Sequence, residues 1–449
     1  MMFESKSFNT HHYMSDKNES KKKIGLISLD KVGKKMAGPG IRYLELGRYL
    51  AEKFDATLFV PDETDIKEKK LKVACYDSTK SSRDLGSKIR GCDVIIAQSL
   101  RPPLIKKIKS LGIKYIADLY DPLAIEVLEY TKDDNQKLQQ STFEFNYYSL
   151  IISLLSADHM LCASDKQKDY YTGFLSGQKI LNPNFYHKTP NLAKFISIAP
   201  FGLPEGKATP IDKEIFFSKF PGISRKDKII YWGGGIWNWF DPISVIKAVE
   251  QLSKERDDIK LFFLGTKHPN PKIKTMKMAS EALEYSKKHD LLNKSVFFNF
   301  DWTPYDERVN YLGMSAIGIS THFDNTETRF SFRTRILDYL WAELPMILTR
   351  GDSMADLCEK NDLGVVVDFE SPAEIKKAIE TIVNNEPTAK KMSENIRGTK
   401  SEYRWQKVAD TIGKIIIEDK WLKRDFDSIK FATKTFDFYL AGLKKKLAK

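Results

Sequence analysis

The residues of this chain best suited to chemistry lie in the segment TETRFSFRTRILDYLWAELP, from Thr326 to Pro345. Ser331 fits the N-cap of a helix. Apolar residues then recur at helical spacing and predict one buried face: Phe332, Ile336, Leu337, Leu340 and Trp341. Arg333, Arg335 and Asp338 fall largely outside that face. The pattern therefore predicts a helix whose polar side carries two guanidinium groups near its start.

A helix start of this kind is suited to binding an anion. The first turn of a helix has free backbone N–H groups and a partial positive charge. Two arginines beside it favour a diphosphate in particular. Glu327 lies just upstream, where we expect a loop to enter the helix. Its carboxylate would suit the hydroxyl groups of a sugar.

The stretch LDYLWAELP, Leu337 to Pro345, resembles the donor-binding signature of glycosyltransferase family 4, a group of retaining enzymes with two Rossmann domains (GT-B). That signature is a Glu, seven residues, a second Glu at a leucine-flanked helix start, then small residues and a Pro. Asp338 stands where the second Glu is usual. Glu327 is eleven positions before Asp338 instead of eight, and Phe330 holds the eighth position. A short loop insertion would explain the spacing.

Further segments resemble landmarks of the same family, in the same order, over roughly Lys23 to Ile415. They are Ala37–Pro61, Ala117–Pro122, Ala157–Gly173, Ile198–Pro204 and Tyr231–Val249. The resemblance implies a nucleotide-diphosphate sugar as co-substrate, no other cofactor, no metal, and retention of the anomeric configuration. It implies a glycan or lipid-linked acceptor, because members of this kind commonly build bacterial surface polysaccharides.

The resemblance also implies roles for the residues of the central segment. Arg333, Arg335 and the helix start would stabilise the charge that develops on the leaving diphosphate. Asp338 would hold the ribose hydroxyls, and Glu327 would contact the donor sugar.

Asp118 and Asp121, in the segment ADLYDP, follow a predicted strand. Ligands of open α/β sheets bind at such strand ends. The family usually has a catalytic histidine near this place. Either aspartate could orient or deprotonate an acceptor hydroxyl, and loop capping beside Pro122 is an equally good interpretation.

Two glycine-rich segments each follow a predicted strand and precede a predicted helix. Gly38 and Gly40 belong to the first, and Gly234 and Gly235 to the second. Both would let a backbone approach a ligand closely, although a tight turn explains them equally well. Arg42 beside the first segment would face either a cleft or the solvent. Neither segment fits the dinucleotide fingerprint G-x-G-x-x-G.

The remaining candidates for donor binding surround the same region. Trp302 follows a predicted strand where the family binds the nucleotide base, and a buried core tryptophan is the alternative. His322 precedes Glu327 at another predicted strand end. The full donor-binding set adds three residues of the central segment: Ser331, Phe332 and Thr334.

Strand and helix patterns alternate twice along the chain, which predicts an α/β fold with two Rossmann-like domains facing a cleft. We expect the last helix to cross back onto the N-terminal domain. The predicted divisions are a disordered leader (1–22), an acceptor domain (23–205), a nucleotide-sugar domain (206–415) and a basic helical tail (416–449).

Charge and composition limit the choice of partners. The chain of 449 residues has a net charge of +12. From Lys420 to Lys449 there are nine basic and three acidic residues, a balance of +6. Contact with an anionic membrane fits this tail, and packing of its helix on the N-terminal domain fits it at least as well. No nucleic-acid motif is visible. Four scattered cysteines and the absence of a signal peptide or membrane span predict a cytoplasmic protein at the inner face of the cell membrane.

Two other functions fit parts of the sequence. The off-pattern Glu327 and the missing histidine suit a non-catalytic subunit or binding module with the same fold. An NAD-dependent oxidoreductase would also use two Rossmann domains, although the glycine fingerprints fail.

Overall fold

The computed structural model describes residues 21–266, 273, 275–424 and 426–448, without the side chains of residues 215 and 216. The predicted leader lies outside the described residues except for Lys21 and Lys22. Lys22 forms an ion pair with Asp419 at 3.0 Å, which connects it to the folded part of the chain.

The N-terminal half forms a seven-stranded parallel sheet. Its strands are β1 (Lys23–Ile27), β2 (Asp55–Pro61), β3 (Lys72–Tyr76), β4 (Val94–Ala97), β5 (Lys114–Asp118), β6 (His159–Cys162) and β7 (Ile196–Ile198). They are ordered β3-β2-β1-β4-β5-β6-β7. Runs such as VIIA in β4 are apolar at every position because both faces of a parallel sheet are covered by helices.

The C-terminal half repeats this plan with six strands. They are β8 (Lys228–Trp232), β9 (Ile259–Phe263), β10 (Val296–Phe298), β11 (Ile317–Ser320), β12 (Met346–Thr349) and β13 (Gly364–Val367). The order β10-β9-β8-β11-β12-β13 reverses beside β8, as in the first sheet beside β1. Open α/β sheets bind ligands at this kind of reversal. The prediction of two Rossmann-like domains is therefore confirmed.

Helices cover both sheets. In the first half they are α1 (Gly38–Leu50), α2 (Ser81–Lys88), α3 (Pro102–Ser110), α4 (Leu123–Thr131), α5 (Gln136–Ser156), α6 (Asp165–Gly177) and α7 (Pro183–Lys188). The second half has α8 (Ile215–Lys219), α9 (Pro242–Ser253), α10 (Lys277–Lys288), α11 (Arg308–Leu312), α12 (Thr326–Phe330), α13 (Arg335–Ala342), α14 (Ser353–Lys360), α15 (Pro372–Val383), α16 (Glu386–Thr399), α17 (Trp405–Glu418) and α18 (Ser428–Leu447).

The last two helices return to the N-terminal domain. Helix α17 packs against α1, and α18 packs along α5. Phe438 of α18 lies 4.5 Å from Phe145 of α5, ring centre to ring centre. This confirms the expectation that the end of the chain crosses back.

The central segment differs from the predicted single helix. Ser331 is not an N-cap, because it is the C-cap of the short helix α12 and the next helix starts four residues later, at Arg335. Its hydroxyl donates to the Glu327 carbonyl at 2.8 Å. Helix α13 begins later, at Arg335 with Thr334 as N-cap, and Glu327 lies on α12 rather than in a loop. The apolar period did not reveal this break, because Phe332 is buried on the connecting turn.

Candidate active site

A cleft lies between the ends of the two sheets. Its larger cavity has a volume of about 480 Å³ and is lined from both halves of the chain. The N-terminal wall includes Gly38 and Asp121, and the C-terminal wall includes Arg333 and Arg335. A smaller cavity of about 190 Å³ adjoins it and shares Gly38 and Arg335. The structure thus brings residues from distant parts of the sequence to one site.

Arg335 is half-buried, and the protein leaves its charge partly unpaired. Its Nη2 donates to the Gly235 carbonyl at 2.7 Å. Its Nη1 is buried and has no hydrogen-bond partner in the part of the chain that the structure describes. The guanidinium lies 3.9 Å from the centre of the Phe240 ring. Burial, with a smaller contribution from the charge of Arg333, lowers the pKa of Arg335 to about 10. An anion bound in the cleft would relieve this cost.

Arg333 has a different environment, because carboxylates surround it. Its Nη1 and Nη2 donate to the two oxygens of Glu327 at 2.9 and 2.7 Å. Its Nε lies 3.6 Å from a carboxylate oxygen of Asp352. Asp352 also caps α14 by accepting from the backbone N–H groups of Met354 and Ala355. Arg333 lines the cleft, but its charge is already balanced by the protein.

Glu327 is correspondingly occupied. It is buried, and it accepts from the Ser331 hydroxyl as well as from Arg333. A sugar hydroxyl that bound Glu327 would have to compete with the side chains of Arg333 and Ser331 for the carboxylate oxygens. The structure therefore places Glu327 at the predicted site as a residue that fixes Arg333, and its contact with a donor sugar stays a prediction.

The smaller cavity is lined by open backbone, an indole ring and a carboxylate. Gly234 has a φ of 77°, and a Cβ added there would meet no atom within 4 Å, so the backbone is open to a ligand. Trp302 lines the same cavity, and its indole N–H donates to the Met36 carbonyl of the other domain at 3.1 Å. Asp338 also lines it and pairs with Arg308 at 3.2 Å. The structure therefore brings three of the residues predicted to bind the donor to one cavity.

Of the predicted pair of glycines in the N-terminal wall, one lines the cleft. Both residues belong to the first turn of α1 rather than to a preceding loop. Gly38 borders both cavities. At Gly40 a Cβ would come within 2.4 Å of the Lys31 carbonyl oxygen. Close backbone packing therefore explains Gly40.

Arg42 and Asp118 form a closed pair. Arg42 Nε and Nη2 donate to both oxygens of Asp118, each at 2.7 Å. Its remaining donors bind the carbonyls of Ala199 and Pro200 at 2.9 and 2.8 Å. Both side chains are fully buried. The surface position considered for Arg42 is therefore wrong, and the pair ties α1 and β5 to the chain after β7.

The N-terminal wall also presents two carboxylates to the cleft. Asp121 was predicted, whereas Glu126 of α4 was not. Burial, with the negative charge of Glu327, raises the pKa of Glu126 to about 7. Burial, with the charge of Glu126, raises the pKa of Asp121 well above its ordinary value. Sequence reasoning missed Glu126 because it lies inside an ordinary amphipathic helix, one turn after the strand-end motif.

His322 lies apart from the cavities. It is buried at 1 % exposure and donates from Nε2 to the Arg350 carbonyl at 3.0 Å. Burial and the charge of Arg333 lower the pKa of His322 to about 3. The residue supports the strand end behind Arg333, and no direct donor contact follows from its position.

A further cavity of about 350 Å³ extends from the cleft into the N-terminal domain. It shares Leu29, Gln98 and Asp121 with the cleft. Its far side is formed by Phe145 of α5 and Phe438 of α18. The cavity therefore reaches from the cleft to the last helix, where two phenyl rings line it.

No group of three or more His, Cys, Asp or Glu side chains in the residue ranges that the structure describes is arranged to hold a metal ion. Within the same ranges, no helix combines the length and apolar character needed to cross a membrane.

Comparison with known proteins gives a family match within the second domain. Residues 216–399 match the family model of glycosyl transferases group 1. This stretch contains Arg333, Arg335, Glu327 and most of the C-terminal wall of the cleft. No curated protein sequence matches the chain.

Solved structures share the fold over most of the chain. Sucrose-phosphate synthase from Thermosynechococcus elongatus superposes with a TM-score of 0.63 at 14% identity, covering 88% of this chain and 98% of that one. HepE of Anabaena in complex with UDP-glucose has a TM-score of 0.62 at 11% identity, with coverage of 88% and 99%. WaaG, a glycosyltransferase involved in lipopolysaccharide biosynthesis, has a TM-score of 0.61 at 12% identity, with coverage of 88% and 99%. The fold is therefore the two-domain GT-B arrangement.

Proposed function

We propose that this protein transfers a sugar from a nucleotide-diphosphate donor to an acceptor bound by the N-terminal domain. The observation that carries the proposal is Arg335, a half-buried arginine at the cleft wall whose Nη1 is buried without a hydrogen-bond partner among the described residues and which forms no ion pair with them. The glycosyl transferases group 1 match to this domain supports the same assignment.

The donor would occupy the two adjoining cavities. The base and ribose would lie among Gly234, Trp302 and Asp338, and the diphosphate would bind Arg335. Charge builds on the diphosphate as the glycosidic bond breaks, so a preorganised cation there lowers the barrier. The charge of Arg333 would attract the diphosphate more weakly, because Glu327 and Asp352 already balance it. Thr334 lines both cavities.

The acceptor would approach from the opposite wall. Asp121 and Glu126 line that side and are the candidates for orienting or deprotonating its hydroxyl. We propose further that transfer retains the anomeric configuration and needs no metal, cofactor or nucleic acid. The cavity that runs under α18 suits a glycan or lipid-linked acceptor of cell-surface polysaccharide synthesis, at the cytoplasmic face of an anionic membrane.

One observation favours a second candidate, a non-catalytic binding module with this fold. The Glu327 carboxylate is already bonded to Arg333 and Ser331. A module of this kind would bind nucleotide but would not turn over a donor.

The deciding experiment compares Arg335→Met with Arg329→Met. Arg329 is an exposed arginine on the neighbouring helix α12 and serves as the matched control. Calorimetric titration with a panel of nucleoside diphosphates should show at least tenfold weaker binding for Arg335→Met. Turnover of the corresponding nucleotide sugar should fall roughly a hundredfold, about 3 kcal/mol, as for loss of a transition-state charge partner.

Stability separates this result from unfolding. Arg335 has one carbonyl partner, so its replacement by a similarly long apolar side chain should leave the melting temperature nearly unchanged. Activity should survive EDTA, and a loss restored only by Mn²⁺ or Mg²⁺ would refute metal independence. Nucleotide binding without any turnover would favour the binding module. Equal binding by both variants would show that the donor site lies elsewhere.

A further inference from the structure

Helix α18 has two apolar sides, of which one is covered. Its inner side carries Phe431, Phe438 and Ala441, which are buried. Besides the contact between Phe438 and Phe145, Lys444 pairs with Glu144 of α5 at 3.1 Å. This side holds the helix on the N-terminal domain.

The outer side of α18 is apolar along its whole length and faces solvent. Its large residues are Ile429, Phe436, Leu440, Leu443 and Leu447, exposed by 80, 68, 41, 55 and 81 %. Their separations of seven, four, three and four residues place them in one stripe. We call these five residues the outer stripe. A surface helix usually turns a polar face to water, and a contiguous apolar patch of this kind marks an interaction site.

The charges on α18 indicate what covers the outer stripe. The helix contains five lysines and one aspartate, Asp437, which is paired with Lys434 at 3.0 Å. Three of the lysines contact the N-terminal domain: Lys430, Lys434 and Lys445. Lys444 and Lys446 are exposed at the end of the helix, although Lys444 also pairs with Glu144. A partner surface that is apolar at its centre and negative beside these two lysines matches the helix.

We propose that α18 lies in the plane of an anionic lipid bilayer surface, with the outer stripe inserted among the acyl chains and the exposed Lys444 and Lys446 at the phosphate groups. An amphipathic helix with lysines beside an apolar face binds membranes in this way. A second copy of the chain fits less well, because pairing two outer stripes would offer these lysines only the aspartate of α18, which is already paired with Lys434. This inference deepens the proposed membrane contact by assigning it to particular residues.

The position of α18 connects this contact with the site. Phe438, on its inner side, lines the cavity that extends from the cleft. A bilayer on the outer side would therefore lie one helix diameter from the end of that cavity lined by Phe145 and Phe438. A lipid-linked acceptor could then leave the membrane beside α18 and present its polar end at Asp121. Binding to the bilayer itself does not depend on sugar transfer.

The test measures binding of the full chain to vesicles of phosphatidylcholine with one quarter phosphatidylglycerol, by sedimentation. Phe436→Ser/Leu443→Ser should weaken binding at least tenfold, because it removes two inserted side chains without touching the inner face. Ile417→Ser is the matched control, since Ile417 is 62 % exposed on α17, and it should bind like the unmodified protein. Lys444→Gln/Lys446→Gln should weaken binding roughly fivefold per lysine, equivalent to about 1 kcal/mol each, and should reduce its sensitivity to salt.

Three results would overturn the inference. The first is no binding of the unmodified chain to these vesicles, and the second is equal binding by the double serine variant. The third is a dimer in light scattering, without vesicles, that the serine variant abolishes, since the outer stripe would then join two copies. Turnover of a soluble acceptor, measured in parallel, should be unchanged in both double variants, so a failure of the transferase proposal is recognised separately.

Discussion

Two arginines, one in each domain, lie in opposite environments. Arg42, fully buried in the N-terminal domain, has a hydrogen-bond partner for each guanidinium nitrogen, including both oxygens of Asp118. Arg335 in the C-terminal wall has one carbonyl and an unpartnered Nη1. Although burial opposes it, the charge of Asp118 raises the pKa of Arg42 above its ordinary value, whereas burial lowers the pKa of Arg335.

This difference separates a structural arginine from a binding one. A saturated, buried ion pair has nothing left to offer a ligand, and its removal leaves an unpaired charge in the core. A buried cation without an anion is costly to the protein alone, and it becomes favourable when a phosphate arrives. Residue type cannot distinguish the two cases, but hydrogen-bond satisfaction can.

The largest expected effect comes from breaking the saturated pair. Arg42→Met would leave Asp118 buried without its partner, and the free energy of unfolding should fall by about 3–5 kcal/mol. Urea denaturation followed by circular dichroism measures this. The double variant Arg42→Met/Asp118→Leu removes both charges and should recover much of the loss. If Arg42→Met is as stable as the unmodified protein but loses nucleotide binding, the comparison between the two arginines is wrong.

A smaller effect is expected from substitution of Glu327. It tests whether Arg335 binds the diphosphate while Arg333 is held in place by Glu327. Glu327→Gln should spare nucleoside diphosphate binding, because Arg335 carries the uncompensated charge. It should lower turnover at least tenfold, or about 1.4 kcal/mol, because Arg333 loses a charged partner that fixes it at the cleft. Calorimetry and initial rates on the same preparation measure both quantities. Diphosphate binding reduced as strongly as in Arg335→Met would show that Arg333 shares the diphosphate.

Much of the fold could be predicted from the sequence, because buried parallel strands leave apolar runs such as Val94–Ala97 and because the pattern restarts at Lys228. The break between α12 and α13 could not be predicted. In the structure the hydroxyl of Ser331 donates to the Glu327 carbonyl at the end of α12. In the sequence, a serine before a run of apolar residues at helical spacing fits the start of a helix equally well.

The site was predictable at the level of residue types and less so at the level of roles. Arg335, Gly234 and Trp302 line the cleft where the resemblance implied a donor site. The ion pair between Arg42 and Asp118 joins residues that are 76 positions apart, and a single sequence gives no sign of such a contact. Glu126 has no motif at all, and only the folding of α4 against the cleft brings it near Glu327.

The smallest expected effect concerns Glu126, an acid in the N-terminal wall that forms no ion pair with the described residues and is influenced by Arg333 only as the smallest of three causes. Its folded-state pKa of about 7 lies above the ordinary value of a glutamate, because of burial and the charge of Glu327. Between these two values the folded protein holds a proton that the unfolded chain has lost. The stabilisation is therefore present at low pH and disappears as the pH rises through about 7. A tenfold difference in proton affinity between the folded and unfolded states corresponds to about 1.4 kcal/mol. Solvent in the open cleft reduces this stabilisation, so the free energy of unfolding should decline by on the order of 1 kcal/mol between about pH 5 and 7.5.

Glu126→Gln should remove this decline of the free energy of unfolding with pH, while Glu129→Gln on the same helix should not. Denaturation midpoints at four pH values would measure it, and identical slopes for the unmodified protein and Glu126→Gln would show that this carboxylate ionises normally.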